Sequence, residues 1–313
     1  SEPPPGKGCA GGAGARTALQ VQRRTLAWGS FVLLFALAVP LLTQDSYYLH
    51  VGSFIALNIL LATSLRLILT TGLRSVAHAG FMGVGAYTSA LLVMRAGFSY
   101  WLALPLAGLM AALVSLPVGY LTLRIKGPYF FLVTFAFAEA VRLFFNNFWV
   151  SMLGGPPGIV GVPPPDPITL GNWAIVFRGR VPFYYLAVFL ALVTVLVMYR
   201  LDRSRPGTIF GAIRQADDLA QTVGIDILRY KMLAFTLACF FAGLGGSFLA
   251  HTNAVVHADE FGISVIILMV THVVIGGAGS VFGPVLGATV LTILSELLRE
   301  LRHFELLAYG LAL

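Results

Sequence analysis

The chain has 313 residues, of which 58% are hydrophobic and only 11% charged, and it carries a net charge of +7. Roughly 25% charged residues are ordinary for a globular chain, so this one lacks the polar surface to cover itself in water and belongs in a bilayer. Its basic residues lie in short loops between apolar runs, which excludes nucleic acid as the partner, and its two cysteines, Cys9 and Cys239, exclude a disulfide framework or a paired-Cys metal site.

Residues 1–20 (SEPPPGKGCAGGAGARTALQ) are rich in Gly, Pro and Ala with no apolar period, and residues 1–24 are expected to be a disordered cytoplasmic leader. Arg23 and Arg24 then precede an apolar run at 26–43. Such a pattern also marks signal peptides, but the run is long and no small-x-small cleavage site separates it from Gln44, so it reads as a first membrane helix. A bilayer core of about 30 Å takes about 20 residues as helix. Spans are predicted at 26–43, 49–71, 76–94, 101–123, 128–145, 182–200, 231–250, 261–278 and 282–300. An apolar start at 306–313 predicts a tenth helix, cut off by the end of the chain. The expected fold is therefore an all-α polytopic membrane domain over 25–313 with nine to ten transmembrane helices. The glycine-rich segment 76–94 is a candidate for re-entry.

With the N-terminus inside, inner segments hold thirteen Lys and Arg residues and the outer side holds six (Arg95, Arg142, Arg178, Arg180, Arg299 and Arg302), with Arg66 near an inner helix end. This bias places the loop 201–230 in the cytoplasm and the loop 146–181 outside. The outer loop contains GGPPGIVGVPPPDP (154–167), whose six prolines forbid a regular helix and stiffen the segment.

Within the membrane segments, Glu139 and Arg142 sit three residues apart in a Phe-rich run. A charge at a helix centre costs about 2.5–3.5 kcal/mol on insertion scales, so these two are expected to pair, or to face a water-filled path. Gly279, Gly283 and Gly287 recur every four residues in GAGSVFGPVLGA, a spacing that lets helices approach closely, while Pro284 predicts a turn or break at the start of 282–300. HAGFMGVGAY (78–87) and AGLGGSF (242–248) have similar glycine density and allow the same close packing, or an unwound segment lining a path. His78, His251, His257 and His272 never fall at the spacing of a zinc helix, and no nucleophile motif is present, so no metal, cofactor or catalytic residue is expected. The lysines, Lys7, Lys126 and Lys231, are followed by Gly8, Gly127 and Met232, which rules out a P-loop; ATP hydrolysis by that route must come from another chain.

The inner loop carries GTIFGAIRQADDLAQTVGID (207–226), in which Ile213, Ala216, Ala220 and Val223 recur at helical spacing. This predicts an amphipathic helix of about three turns, stopped by Gly224 and too short and polar to cross a membrane. An exposed apolar stripe on such a helix fits a partner's groove. The motif Asp218-Leu-Ala-x-x-x-Gly224 resembles the Glu-Ala-Ala-x-x-x-Gly coupling loop of ABC-importer permeases, with Asp218 and Leu219 as departures. The segments 212–250, SVAHAGFMGVGAY (75–87), GPYFFLVTFAFAEAVRLFFNN (127–147) and VVIGGAGSVFGPVLGA (273–288) resemble LivM-type permeases of branched-chain amino-acid importers, in order over roughly residues 50–300; Pro128 and the missing Thr before Gly154 are further departures.

The resemblance implies a subunit of a bacterial inner membrane, paired with a LivH-type permease, two cytoplasmic ATPases and a periplasmic binding protein that largely sets selectivity. It assigns Gly207, Arg214, Asp217, Asp218, Ala220 and Gly224 to ATPase coupling, with Gly224 setting the turn and Arg214, Asp217 and Asp218 orienting the docking face. Tyr129, Thr134, Glu139, Arg142, Gly277 and Gly279 are the candidates for the translocation path. Related urea and short-chain amide importers share these motifs. An ion-coupled secondary transporter, with Glu139 as its proton or sodium site, is the alternative from a different class.

Overall fold

The computed structural model describes residues 40, 45–125, 127–170, 173–175, 177 and 179–312. The chain divides into two units, Ser1–Leu49 and His50–Leu313. The expected leader and all but Pro40 of the predicted first helix at 26–43 lie outside the described residues. The described part of the first unit is otherwise the start of helix α1 (Ser46–Thr70).

In the second unit α1 is followed by α2 (His78–Met94), α3 (Tyr100–Thr122), α4 (Pro128–Asn147) and the single turn α5 (Val150–Leu153). Short strands β1 (Ile159–Val160), β2 (Ile168–Leu170) and β3 (Trp173–Ile175) come next, then α6 (Arg180–Asp202), α7 (Arg205–Gln215), α8 (Asp217–Thr222) and α9 (Ile227–Asn253). Strand β4 (Val255–Val256), a 3-10 turn (Ala258–Phe261), α10 (Ile263–Gly276) and α11 (Phe282–Ala312) complete it. The strands form two antiparallel ribbons, β1 with β4 and β2 with β3, and the other regular elements among the described residues are helical.

Seven helices among the described residues are long and apolar enough to cross a membrane, fewer than the nine to ten expected. Two differences have physical causes. Segment 76–94 forms one unbroken helix, α2, of 17 residues, short for a span and buried along most of its length between its neighbours. The apolar start at 306–313 begins no new helix, because α11 runs on as a single helix of 31 residues. Glu296, Arg299 and Arg302 interrupt its hydropathy, but from residue 288 to 308 it contains no Pro or Gly to break the backbone ladder. At 1.5 Å per residue it is about 46 Å long, longer than a hydrocarbon core of about 30 Å.

The glycine groups do the packing predicted of them. Helices α2 and α9 cross with their backbones in contact: a Cβ on Gly246 would lie 1.9 Å from the Met82 carbonyl oxygen, and one on Gly85 2.3 Å from that of Gly243. Helices α10 and α11 form a hairpin of the same kind, where a Cβ on Gly287 would lie 2.1 Å from the His272 carbonyl oxygen. The chain turns between them through Gly277, whose φ of 89° suits glycine, and Pro284 falls in the first turn of α11, where its missing N–H costs nothing. Gly279 differs from Gly283 and Gly287: it lies in that turn with open space beside it.

Candidate functional site: the α6–α9 loop and the α4 face

The segment joining α6 to α9 is not the single three-turn helix its period predicts. It folds as α7 and α8, with Ala216 extended between them (φ −158°, ψ 95°). Asp217 and Asp218 fall in the first turn of α8, where acidic side chains favour a helix N-terminus. Asp217 also accepts a hydrogen bond from Lys231 Nζ at 2.6 Å, which ties α8 to α9.

The apolar stripe divides accordingly. Of the predicted stripe, Ile213 and Ala220 are buried against the bundle beside Phe210 and Ala216 is half-buried, so only Val223 is exposed, at 80%; Leu219, outside that stripe, is 69% exposed. Those two are four residues apart, Leu219 in α8 and Val223 just past its end. Gly224 closes the segment with φ 85° and nothing within 4 Å of a Cβ placed on it, so its requirement is conformational. Gly207 serves a close approach instead: a Cβ there would stand 2.4 Å from the carbonyl oxygen of Leu201. Arg214 and Asp218 are exposed, and the Cα of Arg214 sits over the α1–α2 turn at Gly72. The start of the loop is fixed by Arg66, whose Nη2 lies 2.8 Å from Asp202 Oδ2 at the end of α6.

Beside α8 a cleft of about 1230 Å³ opens between the α1–α2 and α3–α4 turns, reached by Lys231 of α9 and Val270 of α10. Its rim carries Arg74 and Arg124, both exposed, and its floor is apolar through Leu69, Phe130 and Val270.

Helix α4 presents the other candidate region. Arg142 Nε donates to both carboxylate oxygens of Glu139, at 3.0 and 3.1 Å, and Arg142 Nη1 donates to Asp259 of the 3-10 turn. Asn146 Nδ2 adds a contact to the same Asp259 oxygen at 3.3 Å. Sequence spacing predicts the Glu139–Arg142 pair but not Asp259, which lies 117 residues from Arg142; its only signal is an acidic residue between two apolar runs. Two carboxylates against one guanidinium leave this cluster with an excess negative charge, and it stands partly exposed on the α4 face. Charges on a helix apolar enough to cross a membrane are compatible with a water-filled path or a covering partner, and not with bare lipid.

Of the other path candidates, Tyr129 is exposed at the start of the same helix. Thr134 is fully buried against the α1–α2 turn, accepting from Val76 N at 3.3 Å while its hydroxyl donates back to the carbonyl oxygens of its own helix. Gly277 and Gly279 belong to the α10–α11 turn, away from the charged cluster in sequence and element. Among the described residues no group of three His, Cys, Asp or Glu side chains is arranged to hold a metal ion.

A family model for the permease component of branched-chain amino acid transport systems matches residues 47–312. The chain is 32% identical over 299 residues to the high-affinity branched-chain amino acid transport system permease protein LivM of Escherichia coli, an alignment covering 89% of this chain and 70% of that protein. It is 32% identical over 292 residues to the LivM protein of Salmonella typhimurium, covering 87% and 66% of the two chains. It is also 24% identical over 253 residues to the probable branched-chain amino acid transport permease protein LivH of Methanocaldococcus jannaschii, covering 79% of each. The chain thus spans about two thirds of the length of the LivM relatives it matches. No solved structure matches it. With its apolar helices, its close-packed glycine crossings and this match over most of its length, the chain belongs to the family of permease components of branched-chain amino acid transport systems.

Proposed function

We propose that the chain is the transmembrane permease subunit of an ATP-binding-cassette importer for branched-chain or related amino acids, in a bacterial inner membrane with α7 and α8 on the cytoplasmic side. Its partners are a LivH-type permease, two cytoplasmic ATPases and a periplasmic solute-binding protein. The observation that carries this reading is the pair Leu219 and Val223, large apolar side chains exposed on a loop that is itself anchored to the bundle. An exposed apolar pair of that kind fits a groove on a partner, and a partner chain with a P-loop would supply the ATP hydrolysis that this chain has no such motif for.

Motion imposed on α8 has a physical route inward. Asp217 grips Lys231 on α9, and α9 meets α2 backbone to backbone at Gly246 and Met82, a contact with no slack to absorb displacement. Helix α4 packs on α2 in turn, where a Cβ on Gly80 would stand 3.2 Å from Ala138 Cα, and α4 carries Glu139 and Arg142. In this reading Tyr129, Glu139, Arg142 and Asp259 line the path, and Thr134 holds α4 in place. Ion coupling through Glu139 fits less well, since that carboxylate is held by Arg142 and is not free to take a proton or sodium ion. Co-purification of P-loop ATPase subunits with this chain, lost in the double variant Leu219→Asp/Val223→Asp, tests the reading. Equal recovery of the ATPases with that variant sinks it.

A further inference from the structure

Arg66 is a cation buried near the end of α1, 3% exposed, and it serves two distant segments at once. Nη2 pairs with Asp202 at 2.8 Å, the last residue of α6 and the entry to the α7–α8 loop. Nε donates at 2.9 Å to the carbonyl oxygen of Ala278, in the turn between α10 and α11. The same end of α1 also seats α7, since the backbone of Arg214 lies over Gly72. A guanidinium can do this because its donors are fixed in a planar fork; an ammonium is a point charge on a flexible stem. A cation this deeply desolvated is stable only with its partners in place, so the two segments cannot separate from α1 independently without exposing it unpaired.

We propose that Arg66 is a positioning residue for transport: it clamps the entry of the α7–α8 loop to the α10–α11 turn, so that both move as one body when the loop is displaced. The tie through Asp217 and Lys231 enters the bundle at α9, whereas the Arg66 clamp reaches the hairpin that follows α9. Transport coupling through this clamp rests on the reading of α7 and α8 as the ATPase-facing loop; the clamp itself does not.

Two measurements separate these claims. Gly211 on α7 and Gly279 in the α10–α11 turn both have open space for a side chain, so Gly211→Cys and Gly279→Cys accept spin labels in a Cys9→Ser background, with Cys239 buried. In nanodiscs of this chain alone the distance distribution should be narrow, and Arg66→Leu should broaden it about twofold, with Asp202→Asn as the milder variant if Arg66→Leu does not fold. An unchanged width in both overturns the clamp. In the assembled importer, Arg66→Leu should lower solute transported per ATP hydrolysed about tenfold, the scale of an ordinary coupling free energy, with Arg66→Lys partly restoring it. A parallel fall in hydrolysis and transport overturns the positioning role and leaves Arg66 a purely structural residue. A wild-type assembly without ATP-driven transport refutes the proposed function, while the spin-label widths still decide the clamp.

Discussion

The two long loops of the molecule are held to the bundle by different chemistry. The proline-rich loop after α5 is tied mainly through its backbone. Strand β1 pairs with β4, Gly161 N and Val162 N both donate to Ala254 O at 3.0 Å, and His251 Nδ1 lies 2.7 Å from the carbonyl oxygen of Pro163. A carbonyl oxygen only accepts, so that ring nitrogen carries the proton. Asp166 of the same loop accepts from Tyr100 N at 3.0 Å and so caps the start of α3. The α7–α8 loop is anchored instead by the Asp202 and Asp217 carboxylates, each on a cation of another helix, and its outer surface displays apolar side chains. Backbone pairing fixes a segment in one arrangement, while side-chain ion pairs hold it and leave it free to be pulled. In the function proposed above, the first loop serves as a fixed cover and the second as a handle.

The contrast can be broken from the fixed side with the largest expected effect. Gly158 has φ 73°, and a Cβ there would lie 2.2 Å from the carbonyl oxygen of Val256, so Gly158→Ala should destabilise the protein by about 3 kcal/mol in thermal unfolding. On the handle, Leu219→Asp/Val223→Asp should weaken ATPase binding about thirtyfold, the roughly 2 kcal/mol of an interface anchor, without lowering thermal stability. Asp217→Asn leaves Lys231 without its carboxylate; hydrogen exchange over 205–223 should rise about tenfold, for a loss of about 1.5 kcal/mol, with residues 154–167 unaffected. The smallest effect is expected at Gly161, where φ is 83° but the space is open: Gly161→Ala should cost about 1 kcal/mol by the same unfolding measurement.

Most of the membrane spans were legible in the sequence because an apolar run of the right length has few alternatives to a helix in lipid. The close crossings at Gly85, Gly246 and Gly287 were legible as glycine spacing, since only small residues allow such approach. The break at Ala216 was not, because alanine is the best helix former and the break accompanies a tertiary tie between Asp217 and Lys231. The continuity of α11 was hidden for a related reason: charge interrupts hydropathy but not the backbone ladder. In the candidate site, Glu139 and Arg142 announced themselves by their i, i+3 spacing, whereas Asp259 and the Arg66–Asp202 pair join segments far apart in the chain, so no local spacing names their partners.

ATP-driven uptake into proteoliposomes tests the central claim most directly. Vesicles containing this chain, a LivH-type permease, two ATPases and a branched-chain amino-acid binding protein should accumulate the amino acid only when ATP is supplied. Gly224→Trp, which forces a bulky side chain into a positive-φ position beside the Leu219 and Val223 surface, should abolish that uptake while the protein remains in the membrane. Uptake driven by an ion gradient in vesicles of this chain alone, or full ATP-driven uptake by the Gly224→Trp assembly, would contradict the role of the α7–α8 loop as the handle of an ATP-driven permease.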